Sequence, residues 1–167
     1  MGKKWISVTG SRTYPVYREQ YDLLEPTEKL DALDKGMKLT KFLLSKFPPD
    51  EFGIVTGGAK GVDTWAEQAA DEYGLECVVY PAEWDKYGKS AGVKRNKLIL
   101  HHANHGSMVL WDGVSSGTKH FLTICFKARQ NTWLIGPSGT PWAQWDEDFW
   151  AAHPPESKPK MDIPKGG

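Results

Sequence analysis

Three short stretches combine glycines, hydroxyls and cations where an apolar run gives way to a helical pattern. They are Val8-Thr9-Gly10-Ser11-Arg12, Val55-Thr56-Gly57-Gly58-Ala59-Lys60-Gly61-Val62-Asp63-Thr64 and Asp112-Gly113-Val114-Ser115-Ser116-Gly117-Thr118. A strand that turns through glycines into a helix leaves unpaired backbone N–H groups at the positive end of the helix dipole. Such a turn suits a phosphate or another anion. The glycines allow close backbone approach with no Cβ in the way. The middle stretch is not a Walker A loop, because no Gly-Lys-Ser/Thr triplet follows at the required spacing, and it is not GxGxxG. Three turns of one grammar point to a single nucleotide-type site.

Asp63 falls in the first turn of the helix after the middle stretch. There it either compensates the dipole or caps the helix, or it points into the cleft to hold a ribose hydroxyl or activate a water. Thr64 beside it is within reach of a phosphate. Farther on, Gly92-Val93-Lys94-Arg95-Asn96 opens another helix with a cation and an amide, and Arg95 suits bidentate phosphate binding. Asp63 and Arg95 are the candidate catalytic pair. Gly10, Ser11, Arg12, Gly57, Gly58, Gly61, Asp63, Thr64, Arg95, Asn96, Asp112, Gly113, Ser115, Ser116, Gly117 and Thr118 are the candidate ligand contacts. Trp84 joins them, since Tyr14, Tyr17, Tyr21 and Trp84 fall in long connections, where aromatics stack on a base or pack the loops. His101, His102 and His105 have no cysteine or carboxylate at metal-ligand spacing, which argues against zinc. His120 and His153 stand apart from them. Ser11 lacks a GxSxG setting, so no hydrolase triad is supported. Nothing in the chain asks for a metal or a cofactor.

These residues need elements to position them. Apolar runs predict strands over 5–9, 53–56, 76–80, 107–111 and 132–135. Helical periodicity predicts helices from a Thr27 cap to about Phe47, then over 62–73, 91–102 and 117–129. Pro48-Pro49 and Gly74 are stop signals. Residues 10–26 and 82–89 read as loops. Strands alternating with helices of about a dozen residues predict an α/β fold, a Rossmann-like doubly wound parallel sheet of about five strands. The order 3-2-1-4-5 puts the switch point between strands 1 and 4, where the three turns would meet at the strand C-terminal edge.

A chain of 167 residues fits one domain with a sizeable core. Its 21 basic and 21 acidic residues cancel, so no global charge draws it to nucleic acid or a membrane surface. No run approaches a membrane span, and the opening residues are too short for a signal core. Cys77 and Cys125 read as buried free thiols, in keeping with a reducing cytoplasm. The composition shifts after residue 136. Trp142, Trp145 and Trp150 crowd together before a proline-rich polar tail, so the division is a nucleotide-binding domain over 1–136 and a C-terminal arm over 137–167. The arm would pack on the domain or on a twin subunit, or its tryptophans would stack on bases.

Taken in order, TGSR (9–12), TGGAKGVDTWAEQAADEYG (56–74), AGVKRN (91–96) and WDGVSSGT (111–118) resemble the SLOG superfamily. That group includes the Lonely-Guy phosphoribohydrolases, DprA-type proteins and small YspA/YpsA-like proteins. The resemblance covers about residues 5–136 and is greatest to the YspA-like branch. It implies a Rossmann-like fold that binds a nucleotide or an ADP-ribose-like ligand for sensing or sequestration. The alternative it implies is an N-glycosidase acting on nucleoside monophosphates. The phosphoribohydrolases carry a glutamate in PGGxGTxxE. Here Asp112-Gly113 stands at the start of that motif, and Gly117-Thr118 is followed by Lys119, His120 and Phe121. A hydrolase would need its carboxylate from Asp63, Glu67, Glu83 or Asp112. A third expectation is partner binding through the Trp-rich arm.

Overall fold

The computed structural model describes residues 2–16, 18–111 and 115–135. The chain runs β1 (Lys4–Gly10), α1 (Arg18–Asp22), α2 (Pro26–Leu44), β2 (Phe52–Thr56), α3 (Val62–Tyr73) and β3 (Glu76–Val79). It continues through α4 (Trp84–Tyr87), a 3-10 turn (Gly88–Ser90), α5 (Ala91–His102), β4 (Gly106–Leu110), α6 (Ser116–Lys127) and β5 (Thr132–Ile135). The five strands form one sheet in the order β3-β2-β1-β4-β5, every pair parallel. Fold class and strand order both agree with the sequence expectation.

The sequence makes this sheet because its central strands are short, mostly apolar runs that can be buried on both faces, as a parallel sheet covered by helices requires. Side chains alternate across each strand. Ile6, Val8, Ile54, Met108, Leu110, Trp133 and Ile135 pack with Leu44, Val62, Trp65 and Ala66 of α2 and α3. Val55, Val109 and Leu134 pack with Ile99, Phe121, Leu122 and Cys125 of α5 and α6 on the other side. The chain winds outward through β2 and β3, then returns across β1 to lay down β4 and β5. The crevice this reversal opens lies at the C-terminal ends of β1 and β4.

Four local expectations are corrected. Helix α2 is capped by Glu25, not Thr27, through a reciprocal box with Glu28 that leaves Pro26 at the first turn; proline is tolerated there because its missing N–H would be unpaired anyway. The helix ends at Leu44, after which Phe47 turns inward to meet Phe52 and Trp133 edge-on at 5.2 and 6.2 Å. Residues 10–26 contain α1, and the segment 82–89 carries α4 and the start of the 3-10 turn. Of the two roles left open for Tyr14, packing is the one it takes: it is fully buried in the core beneath α2. Gly36 of α2 lies against the Tyr14 carbonyl and the Trp65 ring, where any Cβ would overlap them.

No described helix is long and apolar enough to cross a membrane. Tyr17, Asp112, Gly113 and the expected arm over 137–167 lie outside the described residues.

Candidate functional site

A cavity of about 570 Å³ opens at the switch point, bounded by the turn after β1, the first turn of α3, α5 and the N-terminus of α6. Its size falls in the range of small-molecule sites, roughly 300–1,000 Å³.

The β1 wall contributes Thr9, Gly10, Ser11 and Arg12. Ser11 N–H donates to the Leu110 carbonyl at 3.0 Å, which carries the β1–β4 pairing one residue past the strand. Gly10 has no room for a side chain, since a Cβ would run into that carbonyl and into Val62. The turn is therefore pinned against both β4 and α3. Thr9 is 7% exposed and its hydroxyl has no partner among the described residues. A buried polar group left unmatched costs free energy.

The β2–α3 turn supplies the second wall. Gly58 and Gly61 have φ of +72° and +84°, in the left-handed region that glycine occupies without strain. At Gly61 a Cβ would also lie 2.6 Å from the Arg12 backbone, so the second turn seats directly on the first. Asp63 Oδ2 accepts the Ala59 N–H at 3.2 Å, and Thr64 Oγ1 donates to the Ala59 carbonyl at 2.9 Å. Ala59 and Asp63 line the cavity, whereas Gly57, Gly58, Gly61 and Thr64 shape the turn behind it. Asp63 is 4% exposed. Burial pushes its carboxyl up to about 6, against the pull of the Ala59 N–H and the Arg95 guanidinium. Among the described residues it is the one carboxylate lining the cavity.

Helix α5 brings Arg95 and Asn96 to the opposite side. Arg95 Nη1 donates to the Gly57 carbonyl at 2.7 Å, and Nε donates to Asn96 Oδ1 at 3.1 Å. Burial draws the guanidinium pKa below its usual range; Asp63 acts to raise it and Arg12 to lower it further. Asn96 Nδ2 donates to the Gly117 carbonyl at 3.2 Å and lies 3.0 Å from His120 Nδ1. A hydrogen-bonded chain thus ties the β2 turn to α5 and then to α6. Ser115, Ser116, Gly117 and Thr118 complete the wall at the start of α6.

Trp84 lines the mouth of the cavity and is 56% exposed, its ring lying over Gly92. Tyr21 is elsewhere, beneath the Lys29 ammonium. Sequence reasoning missed Lys89, His120 and Phe121, all of which line the cavity. The signal for the last two was helical spacing, since His120 and Phe121 follow Gly117 by three and four residues and share its face. His102 and His105 are structural: Tyr80 Oη meets His102 Nδ1 at 2.8 Å, and His105 lies edge-on to Phe52. No cluster of three or more metal-ligating side chains occurs among the described residues.

Residues 28–87 match the model of a family described as YspA, cpYpsA-related SLOG. That span holds the β2–α3 turn, while the TGSR, AGVKRN and WDGVSSGT motifs lie outside it. A solved structure of DNA processing protein A (DprA) from Streptococcus pneumoniae shares the fold, with a TM-score of 0.59 at 19% identity over 97% of this chain. The chain spans 59% of the length of that structure. No curated protein matches the sequence.

Proposed function

We propose that the switch-point cavity binds a nucleotide or an ADP-ribose-like ligand, for sensing or sequestration, a reading supported by the match of residues 28–87 to the model of the YspA, cpYpsA-related SLOG family. The observation that carries this reading is the convergence of three small-residue turns on one cavity that also holds Arg12, Arg95 and the unpartnered Thr9 hydroxyl. Backbone N–H groups at the start of α6 and the two guanidinium groups suit phosphate oxygens. Trp84 at the mouth suits the face of a base. Residues 1–136 form the binding domain in this reading and 137–167 an appended arm. The two free cysteines suit a reducing cytoplasm.

A thermal-shift panel of AMP, ADP, cyclic nucleotides, ADP-ribose and a short single-stranded oligonucleotide tests the proposal. A ligand at 100 times its Kd should stabilise the protein by about 2.7 kcal/mol, read as a rise in Tm. No rise with any nucleotide would remove the reading. Binding of the oligonucleotide alone would redirect it to nucleic acid.

One observation favours a second reading, an N-glycosidase acting on nucleoside monophosphates. The position of the phosphoribohydrolase glutamate is taken by Phe121, which is buried, but Asp63 lines the cavity with its carboxyl pushed up to about 6. A carboxyl poised near neutrality suits proton transfer. Incubation with AMP should then release free adenine, detected by chromatography, and Asp63→Asn should abolish the release. Intact AMP after prolonged incubation with the wild-type protein would leave binding as the function.

A further inference from the structure

The amide of Asn96 can point only one way. Its Oδ1 accepts from Arg95 Nε and its Nδ2 donates to the Gly117 carbonyl. A guanidinium has no acceptor and a carbonyl has no donor, so neither bond survives an amide flip. The same Nδ2 lies 3.0 Å from His120 Nδ1. An amide nitrogen only donates, so Nδ1 must accept and carries no proton, and the ring's single proton sits on Nε2. The charged groups that act on the ring are Lys97 of α5 and Lys127 of α6, and both oppose a second proton, as does burial. His120 lines the cavity, and among the described residues Nε2 has no hydrogen-bond partner.

We infer that His120 is a ligand-binding residue, donating Nε2–H to an uncharged acceptor on the nucleoside part of the ligand, a ribose oxygen or an acceptor atom of the base. This rests on the cleft-binding reading above. Phosphate is already served by Arg12, Arg95 and the α6 N-terminus. His120 lies one turn farther along α6, beside the apolar Phe121 and Ile99 that also line the cavity. A neutral donor next to apolar surface matches a sugar or base, whereas a site for phosphate would gain from an imidazolium that Asn96 forbids. Asn96 is accordingly a positioning residue, setting the tautomer of its neighbour.

Long-range ¹H–¹⁵N spectra of the histidine rings, with titration calorimetry using AMP, ribose 5-phosphate and inorganic phosphate, test the inference. At pH 8 the neutral His120 ring should be the Nε2–H tautomer, and Asn96→Ala should release it to a mixture. His120→Phe should weaken AMP about tenfold, the size of one neutral hydrogen bond, and leave inorganic phosphate unchanged. Loss on ribose 5-phosphate as well would assign the acceptor to the sugar; loss on AMP alone would assign it to the base. His120→Gln keeps a terminal N–H donor and should bind AMP within about threefold of wild type. His120→Ala, expected to behave as His120→Phe does, replaces it if the phenylalanine protein does not fold. Equal weakening of all three probes, unchanged AMP affinity, or an Nδ1–H tautomer would each overturn the inference. Failure of the wild-type protein to bind any probe would overturn the ligand role together with the cleft reading, and the ring spectra would still report the tautomer.

Discussion

Replacing Asp63 with asparagine should flatten the pH dependence of stability between pH 4 and pH 6 by about 3 kcal/mol. The carboxyl stands at about 6 in the folded protein against 3.8 for a free aspartate, with burial as the leading cause. Between those two values the unfolded chain has released its proton and the native protein still holds it. Stability therefore falls as pH rises through this window. The penalty is fully present above about pH 6 and absent below about pH 4. Asparagine keeps an oxygen for the Ala59 N–H and removes the titration, so the variant should lack the slope that the wild type shows. Urea unfolding of both proteins at intervals from pH 4 to 7 measures the difference between the curves, which cancels every other carboxylate. Parallel curves would mean that Asp63 is solvated in solution and not held neutral by burial. The same linkage reaches the ligand. An anion placed near Asp63 favours its protonated form, so nucleotide binding near pH 6 should take up a proton, and calorimetry in buffers of different ionisation enthalpy would detect it.

How much of this was legible in the sequence depends on range. The strand order and the turn positions follow from alternation of apolar runs with helical periods, a local signal that the sheet preserves without change. Gly58 and Gly61 were readable as a tight turn because their positive φ values are a local requirement. Gly57 was readable as a site residue, but its reason is not local: Arg95, 38 residues away, occupies the space a side chain would need. Asp63 left two roles open in the sequence. Geometry joins them, since its oxygen accepts a turn N–H while the carboxyl lines the cavity. Tyr14 went the other way: a tyrosine in a connection is equally compatible with solvent or core, and only the packing of α2 and α3 decides for core. His120 escaped notice because its meaning comes from Asn96, on a different helix.

The second large effect is expected at Gly57, where alanine should cost ligand binding far more than stability. The backbone of Gly57 is not in the left-handed region, so alanine introduces no conformational strain there. What a methyl group meets is the guanidinium of Arg95, with Asp63 Oδ2 2.9 Å away on its other side. The tip of an arginine is mobile and can swing clear, at the loss of its bond to the Gly57 carbonyl. That bond contributes about 1 kcal/mol to folding, and water, which enters an open cavity readily, replaces part of it. Binding is different, because the displaced guanidinium would leave a phosphate without its charge-assisted partner in a partly buried site. Removing one side of such a pair costs roughly 2–5 kcal/mol, so Gly57→Ala and Arg95→Ala should each weaken ADP-ribose at least about thirtyfold. If Gly57 acts only through Arg95, the double variant should bind no worse than Arg95→Ala alone, a non-additivity that calorimetry on the four proteins reads directly. Additive losses would give the β2 turn a contact of its own with the ligand, through backbone N–H groups that the methyl group blocks. Unchanged affinity in Arg95→Ala would take the phosphate away from this side of the cavity and leave it to Arg12 and the start of α6.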